Sequence, residues 1–291
     1  MTIGEDKQMA ELILKNEYIK ATFTSKGAQL ISLEKDGKER IWIGDPEVWP
    51  SHTPILFPIC GGLKDDKFIY EGKEYTLQKH GYVRFLEFDI EFVSDTHVVF
   101  LHKHNEETLA QFPFKYEFRV IFTLEGTAVK VEYNVKNLQD NKMYFSVGGH
   151  EGYYCPEGIE DYSVLFEKAE VLDSTILDGN LLEYNTINVG KDTCELPLKY
   201  EYFAVDALSF LNLKSRKVTL LNRKTGEEMY LEFEGHDTFF IWTKPGAKYI
   251  CLEPWCGCPD FVDSNYDLKN KKGIIELSGK EEITKTHKII F

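Results

Sequence analysis

Positive charge is scarce in this 291-residue chain: 34 lysines and arginines stand against 48 aspartates and glutamates, a formal net charge of −14. That balance argues against nucleic acid and anionic membrane surfaces as partners, because both are held by a basic footprint. Long apolar runs are absent too; none approaches the ~20 residues a spanning helix needs. Met1 to Ala10 is polar and charged, without an apolar stretch, so no secretory signal is expected and the expected location is cytoplasmic. No Pro/Ser-rich linker divides the chain, no internal repeat recurs, and strands do not alternate with helices. Cysteine is present but sparse, at positions 60, 155, 194, 251, 256 and 258. Without a signal the thiols are expected to stay reduced. Cys256-Gly257-Cys258 is too closely spaced for a zinc knuckle and no second ligand pair follows it, so no metal is expected.

What is plentiful is apolar and aromatic residue: 43% of the chain is hydrophobic and 14% aromatic, enough for a large core. Ala128 to Lys136 alternates cleanly, with Val129, Val131, Tyr133 and Val135 on one face and Lys130, Glu132, Asn134 and Lys136 on the other. A period of two marks a half-buried antiparallel strand. Similar segments are expected at 12–14, 19–23, 85–93, 98–101, 118–124, 229–233, 239–242 and 286–291. Asp36-Gly37, Glu71-Gly72, Glu125-Gly126 and Thr225-Gly226 supply hairpin corners. Only Asn105 to Gln111 has helical character. Many short strands without βα alternation predict packed antiparallel sheets. The expectation is a mostly β protein, one large sandwich domain over residues 10–291 behind a polar tail at 1–9.

Three segments carry chemistry. Ile250-Cys251-Leu252-Glu253-Pro254-Trp255 delivers a carboxylate on an apolar strand beside a flat aromatic surface. Gln78-Lys79-His80-Gly81-Tyr82-Val83-Arg84 and Gly148-Gly149-His150-Glu151-Gly152 each place a histidine next to glycines that permit a sharp turn and close approach of a ligand. A bland reading competes for each: Glu253 as a solvated rim residue, the histidines as turn residues, Asp206 as a strand-flanking cap. Glu151 follows His150, so in a strand it points to the opposite face and reads as structural or peripheral. The other histidines, including His236 and His287, sit in ordinary contexts and receive no role. Sugars offer hydroxyls and apolar C–H faces, which suit aromatic platforms; Trp49, Phe57, Tyr82, Tyr153, Trp242 and Trp255 are the candidates.

These residues, with Gly27-Ala28-Gln29-Leu30, Trp42-Ile43-Gly44-Asp45-Pro46 and Pro54-Ile55-Leu56-Phe57-Pro58, resemble the aldose 1-epimerase (galactose mutarotase) superfamily, in particular its LacX-like branch. The resemblance runs nearly end to end. It implies a β-supersandwich and a cofactor-free interconversion of sugar anomers. That reaction takes the proton from the O1 hydroxyl while giving one to the ring oxygen O5; the C1–O5 bond opens, C1 rotates and the ring recloses. By resemblance Glu253 is the base and His150 the acid, His80 bonds near the ring oxygen, and Asp206 accepts from sugar hydroxyls. Arg84 and Trp255 complete the expected sugar-binding set. The implied partner is a small hexose, and the chain is expected as a monomer or weak homodimer.

One departure matters. After Phe57-Pro58 the family places an arginine that helps to bind sugar, and Gly62 occupies that position here. Glycine cannot replace a guanidinium's fork of donors. Lys64, Lys79 or Arg84 could cover the gap, the substrate could differ, or the protein could bind sugar without turning it over. A neutral galactose or glucose is preferred over a hexose 6-phosphate, which needs an Arg/Lys cluster for its dianion. Two alternatives stay open: a non-catalytic carbohydrate-binding or sensing protein, and, last, a glycoside hydrolase using Glu253 and Asp206 as paired carboxylates.

Overall fold

A computed structural model describes residues 11–291; the expected polar tail at 1–9 lies outside the described residues. Nine antiparallel strands form the larger sheet, in the order 181–197, 162–178, 217–222, 228–232, 282–290, 128–137, 116–125, 97–103 and 89–93. Its centre is built from alternation. In Ala128–Asn137 the residues Val129, Val131, Tyr133 and Val135 are buried, and the intervening polar residues are half-buried. In the adjacent strand, Tyr116–Glu125, the residues Tyr116, Phe118, Val120, Phe122 and Leu124 are buried likewise. The register sets Phe118 against Val135, Val120 against Tyr133 and Phe122 against Val131, so apolar cross-strand pairs fall on the core face.

A second sheet packs over that face. Its middle strand, Tyr249–Cys256, is buried at every residue. Thr238–Trp242 pairs on one side of it, and Val147–Gly149 and Glu151–Tyr154 on the other. Burial on both faces explains why this strand reads as an apolar run rather than an alternation. Ile250, Leu252 and Cys256 join the main core between the sheets, whereas Tyr249, Cys251 and Trp255 belong to separate clusters on the outer face. Glu253 shares the parity of the outer set. Ring stacking of Phe57 on Phe118, centroids 4.5 Å apart, ties the sheets together.

Four smaller strands at 11–15, 19–24, 29–35 and 38–39 form a separate sheet. The expected hairpin corners carry the left-handed backbone that such turns need: Asp36 and Gly37 have φ of 54° and 72°, and Glu71 and Gly72 have 50° and 76°. The helix at Glu106–Gln111 starts at Asn105, whose side chain accepts from the Thr108 N–H while the Thr108 hydroxyl oxygen accepts from the Asn105 N–H.

Two sequence expectations change. The strand expected at 85–93 is shorter: Val83–Phe85 is a 3₁₀ turn and only Asp89–Val93 is strand. The cause is a backbone diversion, in which Gly27 donates to the Leu86 carbonyl and Phe88 to that of Ser25. A hairpin of two 17-residue strands, Tyr162–Asp178 and Leu181–Pro197, was not anticipated. All six cysteines are free thiols, and only Cys194 is exposed.

Candidate active site

A cavity of about 410 Å³ opens on the outer face of the second sheet, lined by His80, His150, Asp206, Glu253, Trp255 and Arg84 among others. The six residues singled out in the sequence therefore converge. Cross-strand geometry places the central pair. Glu151 pairs with Leu252, so His150 and Glu253 are neighbours one residue along, on the opposite face from that pair. His150 Nε2 lies 3.4 Å from Glu253 Oε2. Trp49 lies over the imidazole at 5.3 Å, and Trp242 and His80 meet it edge-on at 5.6 Å each.

Burial governs the protonation of both partners. Only 2% of Glu253 is exposed, and burial raises its carboxyl well above the usual range. The Glu151 and Asp206 charges push the same way, with Lys79 opposing. Burial pushes the His150 imidazole down to about 3, helped by the Lys79 and Arg84 cations. Burial thus disfavours the charged form of each group, and across 3.4 Å their titrations are coupled. A group that can give a proton sits beside one that can take it.

His80 is fixed by its backbone. It adopts φ of 67°, sparsely populated for a residue with a side chain, and donates its N–H to the Gly61 carbonyl at 2.8 Å. Its Nδ1 accepts from the Gly61 N–H at 3.1 Å. That bond assigns the neutral tautomer with the proton on Nε2, leaving a donor for a ligand. Burial, then His150, Lys79 and Arg84, hold His80 well below the usual imidazole range. Asp206 follows the 3₁₀ turn at Tyr200–Phe203 and accepts the Ala207 N–H through Oδ1 at 2.7 Å. Arg84 donates to the Lys79 carbonyl at 3.0 Å, which draws the two cations to one rim.

Trp255 lines the wall but is 3% exposed; it stacks on Phe240 at 3.9 Å and donates through Nε1 to the Gly149 carbonyl at 2.9 Å. Of the other platform candidates, Trp49 and Trp242 line the cavity. Phe57, Tyr82 and Tyr153 do not; they are packed in the main core. Lys64 is also elsewhere, engaged with Tyr266. Lys79 and Arg84 are therefore the cations that reach the cavity.

The structure also shows what packs against Gly62. A Cβ at Gly62 would stand 2.6 Å from Asn180 Cβ and 2.9 Å from the Asn180 carbonyl. Asn180 sits in the turn of the long hairpin, and both it and Leu177 line the cavity. Sequence reasoning missed this residue. Asp178-Gly179-Asn180 carries a turn signal, but nothing local says that the turn lands on Gly62.

Comparison with known proteins gives the family. The Aldose 1-epimerase family model matches residues 11–287. The chain belongs to the aldose 1-epimerase family. Protein LacX of Lactococcus lactis subsp. lactis, in its plasmid form, is 35% identical, with 95% of this chain and 97% of that protein covered. A galactose mutarotase related enzyme from Lactobacillus acidophilus superposes with a TM-score of 0.92 at 31% identity, covering 97% of each chain. Galactose 1-epimerase from the same species, at 13% identity, shares the fold with a TM-score of 0.72 over 100% of this chain and 96% of that one. The family's β-supersandwich is thus the architecture found here, and family membership points to an isomerase acting on a sugar.

Proposed function

We propose that this protein is an aldose 1-epimerase that interconverts the α and β anomers of a neutral hexose such as galactose or glucose. The observation that carries this reading is the buried His150–Glu253 pair, 3.4 Å apart, on the wall of a cavity sized for a small molecule. In the reacting form of the closed sugar complex the pair's proton is on His150; Glu253 takes the O1 proton while His150 gives its own to O5. The open-chain state then holds a neutral imidazole and a protonated carboxyl, the arrangement burial favours. Ring closure returns both protons. His80 Nε2–H donates near the ring oxygen, Asp206 accepts from hydroxyls, and Arg84 and Trp255 position the ring.

Charge supports a neutral substrate. Lys79 and Arg84 share the cavity with the acidic side chains of Asp206 and Glu253, so they do not form the dedicated cation cluster that a phosphate dianion needs. The protein is read as a cytoplasmic single domain, monomeric or weakly dimeric. A second reading, sugar binding without turnover, draws on Gly62, where the resemblance implies an arginine, and on the packing of Asn180 against it. The test is anomer exchange by NMR or polarimetry with galactose, glucose and glucose 6-phosphate, wild type beside Glu253→Gln. Wild-type acceleration that falls about 10²–10⁴-fold in the variant supports the epimerase. A folded wild type that accelerates none of the three overturns it in favour of the binding protein.

A further inference from the structure

Cys251 lies two residues before Glu253 on the same strand and therefore on the same face. Its thiol is fully buried, among Trp42, Tyr249, Trp49 and Trp242. One ligand atom each from His150, Cys251 and Glu253 can be chosen so that all lie within 4.8 Å of one another. Donors bound tetrahedrally to one ion at ~2.0–2.3 Å stand about 3.4 Å apart. The imidazole and carboxylate already have that 3.4 Å spacing. The thiol lies within 4.8 Å of the other two ligand atoms, so bringing it into range asks for a movement of at most about 1.4 Å.

We propose that His150, Cys251 and Glu253 form a binding site for a thiophilic divalent cation, Zn²⁺ or Co²⁺, whose occupation occludes the acid/base pair. Thiolate, imidazole and carboxylate form a donor set that favours such ions over Mg²⁺ or Ca²⁺, which take oxygen ligands. Three protein ligands leave a fourth position for water, and the cavity, which His150 and Glu253 line, supplies the entry path. Binding converts the thiol to a metal-held thiolate and releases its proton. The incoming charge of +2 is met by thiolate and carboxylate, which outweighs the repulsion from Lys79 and Arg84. Because the thiol must give up its proton to bind, affinity rises with pH. Metal binding stands apart from the epimerase reading; only the inhibition it causes rests on that reading.

The experiment titrates Co²⁺ into the full chain carrying Cys194→Ser, which removes the exposed competing thiol. Absorbance reports thiolate-to-cobalt charge transfer in the near ultraviolet, and the same samples are assayed for anomer exchange with and without Zn²⁺. The expected result is a charge-transfer band that Zn²⁺ abolishes by displacement. Cys251→Ser loses the band and binds Co²⁺ at least about tenfold more weakly, since even outer-shell changes around a metal cost that much. Zn²⁺ suppresses exchange in the parent and leaves the Cys251→Ser variant active. If that variant does not fold, His150→Asn tests the same site by its loss of affinity. A thiolate band in a protein without epimerase activity upholds the metal site while removing the epimerase reading. No band in the parent, or equal Co²⁺ affinity after loss of Cys251, overturns the proposal.

Discussion

Replacing Gly62 by alanine tests the claim that Asn180 has taken the space beside it. The φ of Gly62 lies outside the left-handed region, so alanine adds no backbone strain, and the effect isolates the steric clash. The new methyl would stand 2.6 Å from Asn180 Cβ, against an ordinary carbon–carbon contact of about 3.5–4.0 Å. Relief requires the hairpin turn to retreat by about 1 Å. It is not free to do so: the Leu182 N–H donates to the Asp260 carbonyl at 2.8 Å, and the Val262 N–H to that of Leu182 at 3.0 Å. Overpacking of this kind costs about 1–3 kcal/mol. The lower entropy of the unfolded alanine chain offsets about 0.4–1 kcal/mol of it. The net loss of about 1–2 kcal/mol lowers Tm by roughly 2–8 °C, read by thermal unfolding. Because Asn180 lines the cavity, KM for the sugar rises in the same variant. Gly37→Ala is the control, since its φ of 72° is strained for alanine but nothing lies within 4 Å of the new methyl. It should lower stability by about 1–2 kcal/mol and leave KM alone. A Gly62→Ala protein with unchanged Tm and unchanged KM refutes the packing argument.

The rate of anomer exchange should be bell-shaped in pH. It falls on the acid side when His150, held down at about 3, takes a second proton onto the pair, and on the alkaline side when Glu253 gives up the last one. A single limb at the ordinary carboxylate value would contradict the coupled pair. Glu151→Gln removes a charge that raises Glu253, so the carboxyl loses its proton more readily and the alkaline limb moves to lower pH; an unmoved limb removes Glu151 from the electrostatics. Lys271→Met strips the partner from Asp260, a pair 2.9 Å apart whose side chains are 4% exposed on each side. Asp260 keeps the Lys64 N–H and Ser264 hydroxyl, but the loss should still reach about 3–5 kcal/mol in denaturant unfolding.

How far the sequence could be read follows from which interactions are local. The strand at Ala128–Asn137 was legible because one face is buried and the other is not, so polarity records the pleat. Asp36-Gly37 and Glu71-Gly72 were legible because only a few residue types tolerate their backbone. The long hairpin escaped because four register shifts break its period of two, and most of the outer strand is exposed or half-buried. The platform list mixed two populations for a similar reason. Phe57 and Trp49 are equally apolar, and only the packing of the sheets sends one into the core and the other to the cavity.

The candidate pair shows where local logic reaches its limit. The parity of Glu253 and His150 on their strands follows from spacing alone, but their meeting at 3.4 Å depends on a register between segments about a hundred residues apart. That register also determines Glu151. Its side chain points away from the pocket, as alternation requires, yet it is not peripheral: it is buried between the sheets, 2.9 Å from His287 Nε2 and 3.5 Å from the Tyr133 hydroxyl. A carboxylate there is costly unless it is paired. His287, given no role from the sequence, is the group that meets it. The same strand therefore presents an ionisable group to each face, and the low dielectric between the sheets lets the inner charge act on the outer carboxyl. The Glu151→Gln pH shift measures that coupling across the sheet, which neither spacing nor motif could have shown.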